Sequence, residues 1–591
     1  MVYFRYILLA FVLTGLMLFA GQKIKRWPFV PAITLSIIGS VMFFAGILNC
    51  MEFAVILICV AGAFSFIQVV SKFFKNKESI RIRRDYVYSA IFAVAVMYLC
   101  YFCYHGVYAD GDTLTHWGVV IREMIETGRM PNFSTTEVAY QSYPTGTAGL
   151  VFFFCRVAGY SEGVTLFAQA LLVFSLLFCL YGMIESNELI PMIIVSGFVL
   201  WALHFNVRLD DLKVDNILPL LAIASMIILI KYRNELEIGI IFSCPVMGMI
   251  AITKNSGIIF LIFVYICEIV LLIQNRKRTE WIQAAKLSFS VPVGMIFLWN
   301  RHIDLVFDNA GETRHSISIA AMRKIYEAKG REEIEQIIEN YFRKWFLLEG
   351  NTTIEWLALL MCIGTFILGF FLERRLNKKT GSHLKPVLLI VFAYFIYKFS
   401  LLGMYVFNMP DSDAVILGAY ARYVNSMVII LVCATMLEWI RIIQMFKDRK
   451  SAHSIVAQLG IACLLFFCIT APSSIYDLSR PDYATGGCYR NIKRIQKENS
   501  IPDHDAHVLV YTYTPYSQFF VSYCFRSMDA WSVDQDSFRR SCIQTPDYYN
   551  YLIILNHDED IDKALEECNY PTDQEIVFLN YKQNLLISNN Q

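Results

Sequence analysis

Charged residues are scarce in this 591-residue chain, at 17% against roughly 25% in ordinary soluble domains. The two signs nearly cancel, leaving a net charge of +1. A chain so balanced offers no basic face for nucleic acid, and it holds no Gly-rich phosphate loop. Internal repeats and low-complexity tracts are missing too, which weighs against a transporter assembled from duplicated halves. Metal-ligand spacing is also lacking. Twelve of the sixteen cysteines, Cys50 through Cys468, lie in or beside apolar runs and read as small core residues. Only Cys488, Cys524, Cys542 and Cys568 fall in polar sequence, where an oxidising compartment would allow one or two disulfides of open connectivity.

Apolar residues are what the chain has in excess, at 56%. Runs near 20 residues long without a central fixed charge recur about 14 times. They fall close to 3–20, 29–48, 51–70, 86–104, 163–184, 189–205, 217–231, 238–253, 256–274, 284–301, 354–372, 386–407, 424–441 and 452–471. The reading is a mainly α, polytopic membrane helix bundle. Lys23, Lys25 and Arg26 follow the first run and no small-residue cleavage site is evident, so it reads as a retained span rather than a signal peptide. Beyond residue 471 the composition turns polar. His507 to Tyr513, Tyr551 to Leu555 and Glu575 to Leu579 resemble strands and Asp558 to Glu567 a helix, which predicts a small α/β domain over 472–591.

Lys/Arg clusters follow the first, third, seventh, ninth, eleventh and thirteenth runs, each of them odd. With positive residues held on the cytoplasmic side, the loops after even runs lie outside the cell membrane. Those are 105–162, 206–216, 302–353 and 408–423, together with the tail. The first is long for a connector, and long loops tend to carry function. Within it Trp117, Val120, Ile121, Met124 and Ile125 recur at helical spacing, predicting a helix in the interface plane that Gly128 and Pro131 stop. In 302–353, Ile334, Ile337, Ile338, Tyr341, Phe342 and Trp345 mark a second such helix, expected to rest on the bilayer as a lid.

The outer loops concentrate acids. Asp110 and Asp112 stand just outside the fourth run, and Asp210, Asp211 and Asp215 between the sixth and seventh. Such carboxylates can take a proton from a hydroxyl or hold a divalent cation. Each has a structural alternative, since Asp112 could cap the first-loop helix and Asp215 the seventh span. His105 and His116 lie near the acids without a third ligand, so a zinc site is not indicated. Lys398 sits inside the twelfth run with no partner that spacing identifies, and an ionisable residue there signals function.

An acid motif at the end of a span, an interfacial helix ending in Gly-x-x-Pro, the turn Tyr143-Pro144-Thr145-Gly146 and the sequence Gly159-Tyr160-Ser161-Glu162 resemble the first external loop of GT-C-fold membrane glycosyltransferases. Protein O-mannosyltransferases and lipid A aminoarabinose transferases belong to that superfamily. Ala251-Ile252-Thr253-Lys254 is similar to its leucine-threonine-lysine turn and Ala421-Arg422-Tyr423 to its Arg-Tyr element, so the resemblance covers about 86–471, with 1–85 as additional N-terminal spans. It implies an inverting transferase that takes sugar from a polyprenyl phosphate in the membrane and gives it to an extracytoplasmic glycan, lipid or protein; the tail, with its strand-helix-strand pattern and no catalytic cluster, reads as an accessory domain. The catalytic acid then falls on Asp112, with Asp110 as alternate, and the second-loop acid on Asp215, with Asp211 behind it. His116, Tyr143, Lys254, Arg301, His302, Arg422 and Tyr423 become substrate-binding candidates. Thr113 stands where many members have a second acid, which leaves a two-carboxylate motif dependent on Asp110. A divalent cation, Mg or Mn, held by Asp112 and Asp215 is compatible with the pattern but not required. A transporter or flippase of lipid-linked saccharides, or a polymerase or ligase of them, remains the alternative.

Overall fold

The computed structural model describes residues 2–76, 86–104, 106–108, 110–132, 138, 140–185, 189–205, 207–274, 278–307, 319–375, 384–445, 484–504, 506–514, 517–526, 531–533, 536–537, 540 and 548–578. The bundle is built from α1 (Val2–Lys23), α2 (Val30–Ile47), α3 (Met51–Asn76), α4 (Tyr86–Cys103), α5 (Gly118–Thr127), α6 (Gly146–Ala158), α7 (Glu162–Phe178), α8 (Leu189–Phe205) and α9 (Ile217–Lys231). It continues with α10 (Leu236–Thr253), α11 (Gly257–Gln274), α12 (Arg278–Val306), α13 (Ile319–Ala328), α14 (Arg331–Phe346), α15 (Gly350–Arg375), α16 (Leu384–Phe407), α17 (Asp411–Val415) and α18 (Tyr420–Met445). Among the described residues, ten helices are long and apolar enough to cross a membrane, and α6, α8 and α9 are shorter apolar helices. That is fewer than the count read from hydropathy. Thirteen of the fourteen expected runs coincide with helices, but α8, α9 and α12 do not meet the criteria of length and apolarity, and 452–471 lies outside the described residues.

Burial divides the helices as a lipid environment requires. α7 and α18 are enclosed, whereas α3 turns Phe53, Leu57, Val60, Phe64 and Ile67 outward in a helical stripe. Between α1 and α3 the backbones nearly touch: a Cβ on Gly15 would sit 2.1 Å from the carbonyl oxygen of Gly62. Lipid-embedded helices associate through such close approach of small residues, because lipid removes the hydrophobic drive.

At one end of the bundle, Lys25 of the first turn pairs with Glu235 and Arg26 with Glu185, joining the connections after the first, fifth and seventh expected runs. The segment that leads into α5, the 207–216 loop and α18 meet at the other end. The apolar stripe of helix α14 is covered by protein in part. Ile337, Tyr341 and Trp345 are buried against α16 and α17, with Trp345 Nε1 donating to the Tyr394 hydroxyl at 2.9 Å, while Ile338 is exposed and Ile334 and Phe342 are half-buried.

The tail adds α19 (Ala484–Glu498), β1 (Val508–Tyr511), α20 (Ser517–Phe525), β2 (Trp531–Val533), β3 (Tyr551–Ile554), α21 (Glu559–Glu567) and β4 (Ile576–Phe578). Its four-stranded sheet runs β2-β1-β3-β4, with β1 parallel to both neighbours and β4 antiparallel. One buried cluster runs without a break from the bundle into α19, α20 and one face of the sheet, while the other face packs on α21. Cys488 and Cys524 are free thiols; Cys542 lies outside the described residues.

Candidate functional site

The site begins with a π turn. Thr113–Trp117 is wound one residue wide, closed by the Gly118 N–H donating to the Thr113 carbonyl, and passes directly into α5. This helix therefore starts earlier than its apolar spacing suggests, and the acids fall at its mouth. Asp110 is the cap: its Oδ1 accepts from the backbone N–H of Asp112 at 3.1 Å and of Thr113 at 3.3 Å. Asp112 makes no capping bond. Its carboxylate pairs with the Arg422 guanidinium, presented by the first turn of α18. Thr113 also tethers the second loop, accepting from the Leu212 N–H at 3.2 Å.

Asp215 does not cap α9 either, for which Asn216 is the N-cap residue. Its carboxylate accepts from Lys254 Nζ at 2.7 Å and lies 3.3 Å from Arg422 Nε. Four residues picked from separate stretches of sequence thus form one row, Lys254, Asp215, Arg422, Asp112. Burial grades along it, from side-chain exposures of 7% at Lys254 and 6% at Asp215 to 28% at Arg422 and 41% at Asp112. Burial alone would raise the Asp215 carboxyl, but the charges of Lys254 and Arg422 outweigh it and hold the pKa down to about 2. Asp215 is accordingly a fixed anion, and Asp112 is the carboxylate a substrate can reach.

Beside this row stands a second cluster. Lys213 Nζ bridges Asp110 at 2.8 Å and Asp211 at 3.3 Å, and Gln169 Nε2 holds the loop through the carbonyls of Asp211 and Lys213, both at 3.1 Å. Burial pushes the Asp211 carboxyl up to about 6, with Lys213 opposing and Asp110 adding to the rise. Lys213 was not marked by any sequence motif; only its place among three acids hinted at it.

Aromatic side chains wall the buried end. Lys254 Nζ lies 5.2 Å from the Tyr143 ring and 5.7 Å from that of Tyr423, whose other neighbour is the Arg422 guanidinium at 5.6 Å. His116 is buried among Trp117, Tyr140 and Tyr143, its Nδ1 accepting from the Tyr140 N–H at 3.4 Å, so it props the turn rather than facing substrate. The same turn is fastened by Asn255 Nδ2 and Trp299 Nε1, both donating to the Ser142 carbonyl. His302 stacks on Trp299 at 5.5 Å, and Arg301 is exposed on α12; neither touches the charged row. His105 lies outside the described residues.

The tail closes over the acid loop. Phe519 of α20 packs on Gly111, where an added Cβ would meet its ring at 3.0 Å. Arg122, buried on α5, donates to the Tyr523 carbonyl at 2.7 Å and stacks on that ring, and Glu126 pairs with Arg526. Glu162 accepts from the Tyr108 N–H, the Tyr489 hydroxyl and Lys493. A groove of about 580 Å³ runs along this seam, lined by Tyr104, Tyr160, Glu162, Arg490 and Lys493 among others.

A divalent cation does not fit the row. Each carboxylate already carries a cationic side chain, so the four charges sum to zero, and no group of three metal-ligating side chains occurs among the described residues. Comparison with protein-family models, curated proteins and solved structures yields no match.

Proposed function

We propose that the chain is a membrane glycosyltransferase that moves sugar from a polyprenyl-phosphate donor to a hydroxyl of an extracytoplasmic glycan, lipid or protein. What supports the reading is convergence: the acids and cations that such a reaction needs come from positions 112, 215, 254 and 422 and meet in one row. Transfer requires a base for the incoming hydroxyl and positive charge for the departing phosphate. Asp112 takes the acceptor proton as the acceptor oxygen bonds to the anomeric carbon. The bond from that carbon to the phosphate oxygen breaks, its electron pair leaves on the polyprenyl phosphate, and Asp112 later yields the proton to water. One displacement inverts the anomeric centre. Arg422 and Lys254 meet the phosphate charge, and Asp215 fixes both from behind. In the resting pair Arg422 covers Asp112, so an arriving phosphate competes for the guanidinium and uncovers the base. Donor therefore binds before acceptor. The aromatic and basic groove at the tail seam is a seat for the acceptor.

The test is transfer of labelled sugar from polyprenyl-phosphate donor in reconstituted membranes. Asp112→Asn should lower turnover by about 100-fold or more while melting like the parent, since it deletes the base and keeps the shape. Full activity in that variant would sink the assignment. The transporter alternative draws on the buried Lys398–Glu355 pair within the bundle. It predicts that labelled sugar crosses the bilayer still attached to its lipid.

A further inference from the structure

Lys398 takes no part in the reaction above, although a charge on a membrane helix is expensive to keep. From α16 its Nζ donates to Glu355 Oε2 of α15 at 3.1 Å and to the Tyr420 hydroxyl at 2.9 Å, and both charged side chains are fully buried. The rings of Trp345 and Tyr420 lie 5.1 and 4.9 Å from the ammonium, within cation–π range. Tyr420 is the first residue of α18, two before Arg422. Neighbours on α16 grip the same stretch: the Tyr397 hydroxyl donates to the Tyr423 carbonyl at 2.6 Å and the Tyr405 hydroxyl to that of Gly418 at 2.8 Å.

The gripped stretch is strained. Leu417 and Ala419 have φ of 53° and 58°, in the left-handed region that a Cβ disfavours. Side-chain-bearing residues persist there when their surroundings impose it, and such strain gathers where function needs a fixed geometry. Here two of them flank Gly418 immediately before the helix that carries Arg422.

We infer that the Lys398–Glu355 pair is a positioning device: it anchors Tyr420, holds the 417–419 turn in its strained form, and so sets Arg422 between Asp112 and Asp215. Neutralising the anchor lets the turn relax and carries the guanidinium away from both carboxylates. The consequence for donor use rests on the transferase reading; the geometry does not.

The test is Lys398→Met with Glu355→Gln, which removes both charges together so that neither is left buried alone. Donor KM should rise about tenfold and kcat should fall with it, because the displaced guanidinium also meets the departing phosphate. Hydrogen–deuterium exchange of the 415–424 peptide should quicken at the same time. Tyr420→Phe, which deletes one hydroxyl and keeps the packing, should move both readouts in the same direction. Adding Ala419→Gly to the double variant should bring donor KM back to within about twofold, because glycine holds a positive φ without penalty. A pair that serves bundle stability alone would lower the melting temperature and leave donor KM unmoved, and that result overturns the inference. Unchanged exchange over 415–424 overturns it as well. Quickened exchange in the variant, beside a parent protein that transfers no sugar, supports the anchor and sinks the transferase reading instead.

Discussion

Asp110 and Asp112 are separated by one glycine and do different work. Asp110→Ala should cost about 1 kcal/mol of stability by loss of a helix cap, whereas Asp110→Asn keeps the cap and gives up only the partly exposed pair with Lys213; thermal melts of both variants check this. Their roles were not legible in the sequence, because which acid caps depends on where the helix begins. The π turn moves that start ahead of Trp117, where apolar spacing first becomes visible. The row itself was legible, since Asp112, Asp215, Lys254 and Arg422 each stand at the rim of an apolar run. Its second-loop acids make a pH prediction of two opposite signs. Asp215, held at about 2 against an ordinary 3.8, binds fewer protons folded than unfolded. It contributes about 2 kcal/mol that is complete above pH 4 and disappears as pH falls toward 2. Asp211, raised to about 6, keeps its proton in the folded state after the unfolded chain has lost it. Stability should therefore fall as pH rises from about 4 to about 6. Unfolding temperatures measured across pH should lose the first slope in Asp215→Asn and the second in Asp211→Asn.

Among elements, the two amphipathic helices show what a pattern can and cannot say. Periodicity located α5 and α14 and named their apolar residues, but an apolar stripe does not reveal whether lipid or protein covers it. Tyr341, Trp345 and Asn340 bind α16 and the 408–420 segment, while Ile338 on the same stripe stays exposed. Arg122 shows the same limit of periodicity. On a helical wheel it belongs to the water face, yet it is buried beneath Tyr523 of a domain that begins hundreds of residues later. Periodicity within a segment cannot register a partner so remote. The seating of α20 on the acid loop gives a test. Gly111→Leu should push the Phe519 ring away and displace Asp112, lowering transfer by at least about tenfold. Phe519→Ala in the same chain should recover most of the loss by making room. Recovery in the double variant, measured against each single one, is the expected coupling, and simple addition of the two losses would refute it.

For the whole molecule, the sequence supplied the bundle and a small α/β tail; it missed α19 and α20, whose apolar residues serve an interface with the bundle as well as the local core, and β2, which is only three residues long. Sidedness is an expectation from Lys/Arg bias, and that expectation predicts labelling. In a cysteine-depleted protein, a thiol placed at Glu332 or Arg494 should react with an impermeant reagent from outside, and one at Arg83 or Lys277 should not. Reaction at Arg83 would reverse the assigned faces. Deleting 484–591 should abolish transfer, since it uncovers Tyr108, Arg122 and Glu162, and the isolated tail should be inactive. The bond from Arg122 to Tyr523 spans 401 positions. During synthesis at roughly 5–20 residues per second, the acid loop then waits about 20–80 s for the segment that seats it. A product truncated ahead of α20 therefore leaves Arg122 and the acid loop uncovered, whatever the state of the bundle beneath.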